Sequence, residues 1–151
     1  MSRVIILDSG PLGMVTNPKA SSAEIQECKV WLNSLMRRGE IIIMPEIADY
    51  EVRRELIRAG KLAGIKRLDE LKLQLTYRPL TTEVMLLAAH LWAQARMRGR
   101  PTAEAHALDG DVILAAQAIL EASEGNQVVI ATTNVGHLSQ FVDAREWRLI
   151  E

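Results

Sequence analysis

Residues 4–13 read VIILDSGPLG, and the fold turns on that stretch. Its first four residues form a short, wholly apolar, β-branched run that stops at Asp8, Ser9, Gly10 and Pro11. A strand that is apolar on both faces belongs in the middle of a parallel sheet, with layers above and below it. Residues 41–44 (IIIM) and 128–131 (VVIA) repeat the pattern. Between the first two runs, Ser21 or Ser22 caps a helix that carries Ile25, Cys28, Leu32, Leu35 and Met36 on one face, and Arg37, Arg38 and Gly39 end it.

Working outward, Pro45 suits the first turn of a helix that runs through Glu51 to about Ala59, where Gly60 stops it. A second helix carries Leu62, Ile65 and Leu68, and residues 75–80 read as a third strand. Thr81 or Thr82 opens a long apolar helix ending near Gly99. Residues 100–108 are the longest irregular connection, and a helix starts at Asp109 or Gly110. Residues 147–150 offer a last strand. Strands alternating with helices predict an α/β fold, a three-layer sandwich around a mostly parallel sheet of four to five strands. The length of 151 residues fits one domain spanning 1–151.

Composition narrows the function less than the fold. A hydrophobic fraction of 48% and a charged fraction of 25% are ordinary for a globular protein. The N-terminal apolar run is too short for a signal peptide or a membrane span, so a cytoplasmic protein with no membrane partner is expected. Cys28, the one cysteine, shares an apolar helix face and reads as a buried structural thiol. A net charge of −1 gives no global attraction to nucleic acid.

The chemistry lies in the acids. In parallel sheets, ligands bind beyond the carboxyl ends of the strands, which places Asp8, the segment from Pro45 to Glu51, and Thr132 to Asn134 on one edge. Asp8 follows the first strand, Glu51 lies in the helix after the second, and Asp111 in the helix before the fourth. Carboxylates about 5 Å apart repel by roughly 3 kcal/mol per pair at an effective dielectric near 20. A cation relieves that repulsion, and hard oxygens without a histidine or thiolate cluster favour Mg2+, with Mn2+ as the alternative. Such ions serve phosphodiester hydrolysis. Each acid alone has a plainer reading: Asp8 as a turn or cap, Asp111 and Asp109 as helix N-terminal charges, Glu51 as the partner of a nearby arginine.

These residues resemble the PIN-domain nucleases, and among them the VapC-like toxins of bacterial toxin-antitoxin pairs. VIILDSGPLG is similar to that family's first strand and acidic turn, which makes Asp8 the first metal ligand. IIIMPEIADYEVRREL resembles its second strand and the helix with the second acid, which falls on Glu51 rather than Glu46 or Glu55. LDGDVILAAQAIL resembles its third-acid helix and selects Asp111 over Asp109, which stays a secondary metal candidate. VVIATTNVGHLSQF resembles the strand and loop of the fourth polar position, here Asn134, where many relatives carry aspartate. An amide ligates without supplying charge, so a second metal site is put in doubt. The resemblance implies a sheet order of 3-2-1-4-5, cleavage of single-stranded RNA leaving a 5′-phosphate and a 3′-hydroxyl, homodimers and a cognate antitoxin. A housekeeping RNA-processing nuclease, or a non-catalytic module that binds RNA or protein, is the alternative.

Arg53, Arg54, Arg58, Lys61, Lys66 and Arg67, and separately Arg96, Arg98 and Arg100, can track an RNA backbone or simply form solvated helix faces. Aromatics, at 4%, are too few to suggest a base-reading platform. His90, His106 and His137 lack ligand spacing; the latter two lie in segments that approach the acidic edge. Leu56, Ile57, Leu62 and Ile65 exceed the needs of one buried face, as a groove for an amphipathic partner helix would require, although helix packing also uses such residues. A dehalogenase-type phosphatase or a receiver domain needs a late lysine, yet the last is Lys72; the former also needs an acid where Gly10 stands. Glycine-rich phosphate loops are missing too.

Overall fold

The computed structural model describes residues 2–19, 22–98 and 105–151, and only the backbone of 105–107. Five strands form one parallel sheet: β1 (Arg3–Leu7), β2 (Ile41–Pro45), β3 (Thr76–Arg78), β4 (Gln127–Thr132) and β5 (Ala144–Glu146). Their order is β3-β2-β1-β4-β5, as the family resemblance implies. Helices α1 (Ser9–Thr16), α2 (Ala23–Arg37), α3 (Glu46–Arg58), α4 (Leu62–Gln74), α5 (Thr82–Met97), α6 (Ala105–Ser123) and α7 (Val135–Leu138) make the crossovers.

Alternation along β1 explains the layers. Ile5 and Leu7 pack on one face with Leu12, Cys28, Leu32, Leu35, Val52 and Leu68 from the first four helices. Val4 and Ile6 pack on the other with Ile47, Leu114, Ala118 and Leu138. All of β1 beyond Arg3 is buried because its hydrogen bonds go to strands on both sides and its side chains to both helix layers. A further cluster joins α5 to α6 through Val84, Ala88, Leu91, Val112, Ala115 and Ala116. Among the described residues, no helix is long and apolar enough to cross a membrane.

Several expectations are corrected locally. The acidic turn after β1 is itself helical, with Asp8 as the N-cap of α1. Pro45 ends β2 and precedes α3 instead of lying in its first turn. The irregular stretch expected over 100–108 lies partly outside the described residues, and helix begins by Ala105, so Asp111 sits in the second turn of α6. The final strand is 144–146, while Trp147–Leu149 winds into a 3-10 turn that buries Trp147 against Trp31. A bulky indole below the sheet favours that tight turn over continued pairing.

Cys28 is fully buried, and burial pushes its thiol pKa up to about 12. The native protein is expected to resist alkylation by iodoacetamide and to react in denaturant; stoichiometric native labelling would contradict this placement. Leu12 is also fully buried beneath the first turn of α1. Leu12→Ala should cost about 2–5 kcal/mol in urea unfolding.

Candidate functional site

Asp8 leaves the sheet at the carboxyl end of β1, and both of its carboxylate oxygens are held. Oδ1 accepts from the Ser9 backbone N–H at 2.7 Å, and Oδ2 accepts from the Thr132 hydroxyl at 2.7 Å. Thr132 Oγ1 in turn accepts from the Asn134 backbone N–H at 2.9 Å. Asp8 therefore does cap a helix, as its plainer reading held, while its carboxylate is fixed at the sheet edge. Gly10 keeps the edge closed, since a Cβ there would lie 2.6 Å from Thr133 Oγ1.

Glu51 reaches the same rim from α3. Of the acids on that helix, Glu46 accepts from the Leu80 backbone N–H, Asp49 takes Arg53 and the Tyr77 hydroxyl, and Glu55 takes Arg58. Glu51 alone has no hydrogen bond or ion pair among the described residues. Its Oε2 lies 2.8 Å from where a Cβ on Gly110 would stand, so the glycine beside Asp111 admits this carboxylate against α6. Burial raises its pKa, the charges of Asp8 and Asp111 raise it further, and Arg54 opposes them.

Asp111 completes the group. Its pKa is raised to about 6, chiefly by burial and also by Asp8, with His137 opposing. Asp111 Oδ2 is buried and accepts no hydrogen bond of good geometry; His137 Nδ1 stands 3.4 Å away. That ring nitrogen also lies 3.0 Å from Asn134 Nδ2, an N–H donor, so it cannot accept from the amide and donate to Asp111 at once.

Asp8, Glu51 and Asp111 thus share one rim and feel one another's charge. Asn134, exposed at the start of α7, reaches Asp8 through its backbone N–H and Thr132, while its side chain meets only His137 among the described residues. Asp109 is not brought in. Two residues before Asp111 on a helix, it is turned to the cleft between α5 and α6 lined by Met85, Ala88, Trp92 and Val112. The side chain of His106 lies outside the described residues, and His137, given little weight from sequence, is the histidine at the site. Thr132, which the sequence places on this edge without a role, holds Asp8; its signal is a hydroxyl at the end of an apolar strand.

Among the described residues, no three His, Cys, Asp or Glu side chains stand close enough to enclose a metal ion. The donor chemistry nonetheless fits a hard divalent cation: oxygen-only ligands, an unpartnered Glu51 and an orphaned buried oxygen on Asp111.

The architecture is VapC-like, the PIN-like fold of a five-stranded parallel sheet between helix layers. It is similar to a chain in the structure of VapBC2 from Rickettsia felis bound to a DNA fragment from their promoter, with a TM-score of 0.70 and 13% identity over 94% of this chain and 97% of that one. It is also similar to VapBC-1 from nontypeable Haemophilus influenzae, at 0.64 and 15% over 96% and 98% of the two chains. For DNA-bound VapBC from Salmonella typhimurium the values are 0.63 and 16% over 97% and 99%. No protein-family model and no curated protein matches the sequence.

Both upward shifts mean that Glu51 and Asp111 hold protons more tightly folded than unfolded. Their contribution to stability is complete below the ordinary carboxylate pKa and is lost as pH rises, for Asp111 through about 6. In metal-free buffer, Asp111→Asn should raise stability near pH 7 by on the order of 2 kcal/mol, with the gain gone near pH 4. Urea titrations at both pH values measure this, and a loss of stability at both would show the acid to be structural.

Proposed function

We propose that this chain is a divalent-metal-dependent endoribonuclease that hydrolyses phosphodiester bonds in single-stranded RNA. The observation that carries this reading is the gathering of Asp8, Glu51 and Asp111, from three separate elements, with two of them short of partners. A fold retains uncompensated, half-buried carboxylates at a cost to stability, and such groups concentrate where function requires them.

Asp8, Glu51 and Asp111 would hold Mg2+ or Mn2+, and Asn134, were it to ligate, would add no charge. When bound, the ion supplies a water of lowered pKa and offsets charge on the phosphodiester. The chain's own residues prepare the place. Thr132 and Ser9 orient Asp8, Gly110 gives Glu51 room, and His137 faces Asp111 across 3.4 Å. Hydrolysis would leave a 5′-phosphate and a 3′-hydroxyl.

The likeness to VapBC structures supports a role as the toxin of a toxin-antitoxin pair, cytoplasmic, homodimeric and bound by a cognate antitoxin. The surface for such a partner is smaller than the sequence suggests. Leu56 packs into the core and against Gly64, whereas Ile57 and Leu62 remain exposed on α3 and α4. A cleft of about 350 Å³ leads from Ser9, Gly10 and Glu51 to Leu56, so a partner helix seated there would cover Glu51. A non-catalytic binding module is the second reading, favoured by the lack of a closed three-ligand group among the described residues.

Asp8→Asn, Glu51→Gln and Asp111→Asn should each lower cleavage of a labelled single-stranded RNA by about 100-fold or more, an assumed loss of about 3 kcal/mol in transition-state stabilisation. Chelator should abolish the activity and Mn2+ restore it. Manganese should raise the melting temperature of the wild type but not of Asp111→Asn. Cleavage that survives chelation and all three substitutions would refute the assignment.

A further inference from the structure

A site built from carboxylates repels the phosphate it must receive, and a net charge of −1 gives no compensating field. A local cation has to guide the strand. Two of the three arginines of α3 are already committed: Arg53 binds Asp49 and Asp69, and Arg58 binds Glu55. Arg54 has no ion-pair partner among the described residues. It lines the cleft that also holds Ser9, Gly10 and Glu51. Its guanidinium carbon lies 5.1 Å from the centroid of the Tyr50 ring, one helical turn back on α3.

Tyr50 immediately precedes Glu51 and is 56% exposed. Among the described residues its hydroxyl makes no hydrogen bond. An aromatic ring with a cation against one face keeps the other face for stacking, and a base is free to stack only when it is unpaired.

We propose that Tyr50 and Arg54 form a one-nucleotide docking step beside the acids, Arg54 pairing with a phosphate of the strand and the outward face of Tyr50 stacking its base. This rests on the nuclease reading above, whose substrate class it deepens. Charge complementarity favours this occupant, since Arg54 lines the cleft beside Glu51 and Glu55 and acts on both through its charge, yet makes no ion pair among the described residues. The step would select single strands over duplexes and tolerate any base, because every base has a flat face.

The test uses the full-length chain carrying Asp111→Asn, so that bound RNA is not cut, and fluorescence anisotropy with two probes. One is a 5′-labelled ten-nucleotide uridine RNA; the other has the same backbone with abasic riboses. Adding Tyr50→Ala should weaken binding of the uridine strand roughly tenfold and leave the abasic strand unchanged, while Tyr50→Phe should bind both like the parent. Arg54→Ala should weaken both probes and reduce the slope of log K against log salt by about 0.7, one phosphate's worth on a single strand. Equal binding of the uridine strand by the parent and Tyr50→Ala overturns the step. So does a loss confined to a bound protein partner, which would make this face a docking surface for protein. Cleavage by the chain with Asp111 intact is assayed separately. Absent cleavage sinks the nuclease reading, whereas intact cleavage with no Tyr50 effect sinks the docking step alone.

Discussion

Parallel pairing of β1 with β4 sets Leu7 beside Ala131, and the next residue of each strand meets at the edge as a hydrogen bond from Thr132 to Asp8. From that bond a chain of contacts runs along the rim. Thr132 accepts from the Asn134 backbone, Asn134 contacts His137, and His137 stands against Asp111. The first and third acids are therefore linked through the end of one central strand and the short helix after it. Moving β4 by one residue would turn its side chains to opposite faces and break the link at its first member.

Glu51 arrives independently, and its placement depends on the absence of a side chain. Gly110 lies where a Cβ would stand 2.8 Å from the carboxylate, so the close approach of α3 to α6 is written into a glycine one residue before Asp111. The acids around Glu51 on α3 serve the fold. Glu46 and Asp49 fasten β3 and the start of the following loop through Tyr77 and Leu80, and Arg53 ties α3 to Asp69 on α4. Their satisfaction sets Glu51 apart: neighbouring carboxylates on one helix find partners, and the one facing the rim does not.

This division also bears on recognition. Of the basic residues that crowd α3 and α4 in sequence, Arg53 and Arg58 are consumed in ion pairs within the protein, so the basic surface available to an anionic strand is smaller than the count of lysines and arginines suggests. Beside Glu51 in its cleft stands Arg54, set against the ring of Tyr50. A single aromatic residue can matter at such a place even in a chain with few of them, because location relative to the rim decides its use, not abundance.

The sequence by itself determined the layers of the fold, because β1, β2 and β4 are runs apolar on both faces, which only a sheet covered on both sides satisfies. Helix ends were legible where local chemistry sets them, as at Ser22 and Thr81, which cap α2 and α4's successor α5. The identity of the three acids came from motif resemblance, and nothing local separates Asp111 from Asp109 or Glu51 from Glu46. Only the tertiary structure sets the members of each pair apart in position. Helical rotation turns Asp109 toward α5, and Glu46 is taken up by the Leu80 backbone 34 residues away in the chain. The roles of Thr132 and His137 were hidden for the same reason. A hydrogen-bond partner 124 residues distant, as Thr132 is from Asp8, leaves no trace in local pattern and exists only once the strands have paired.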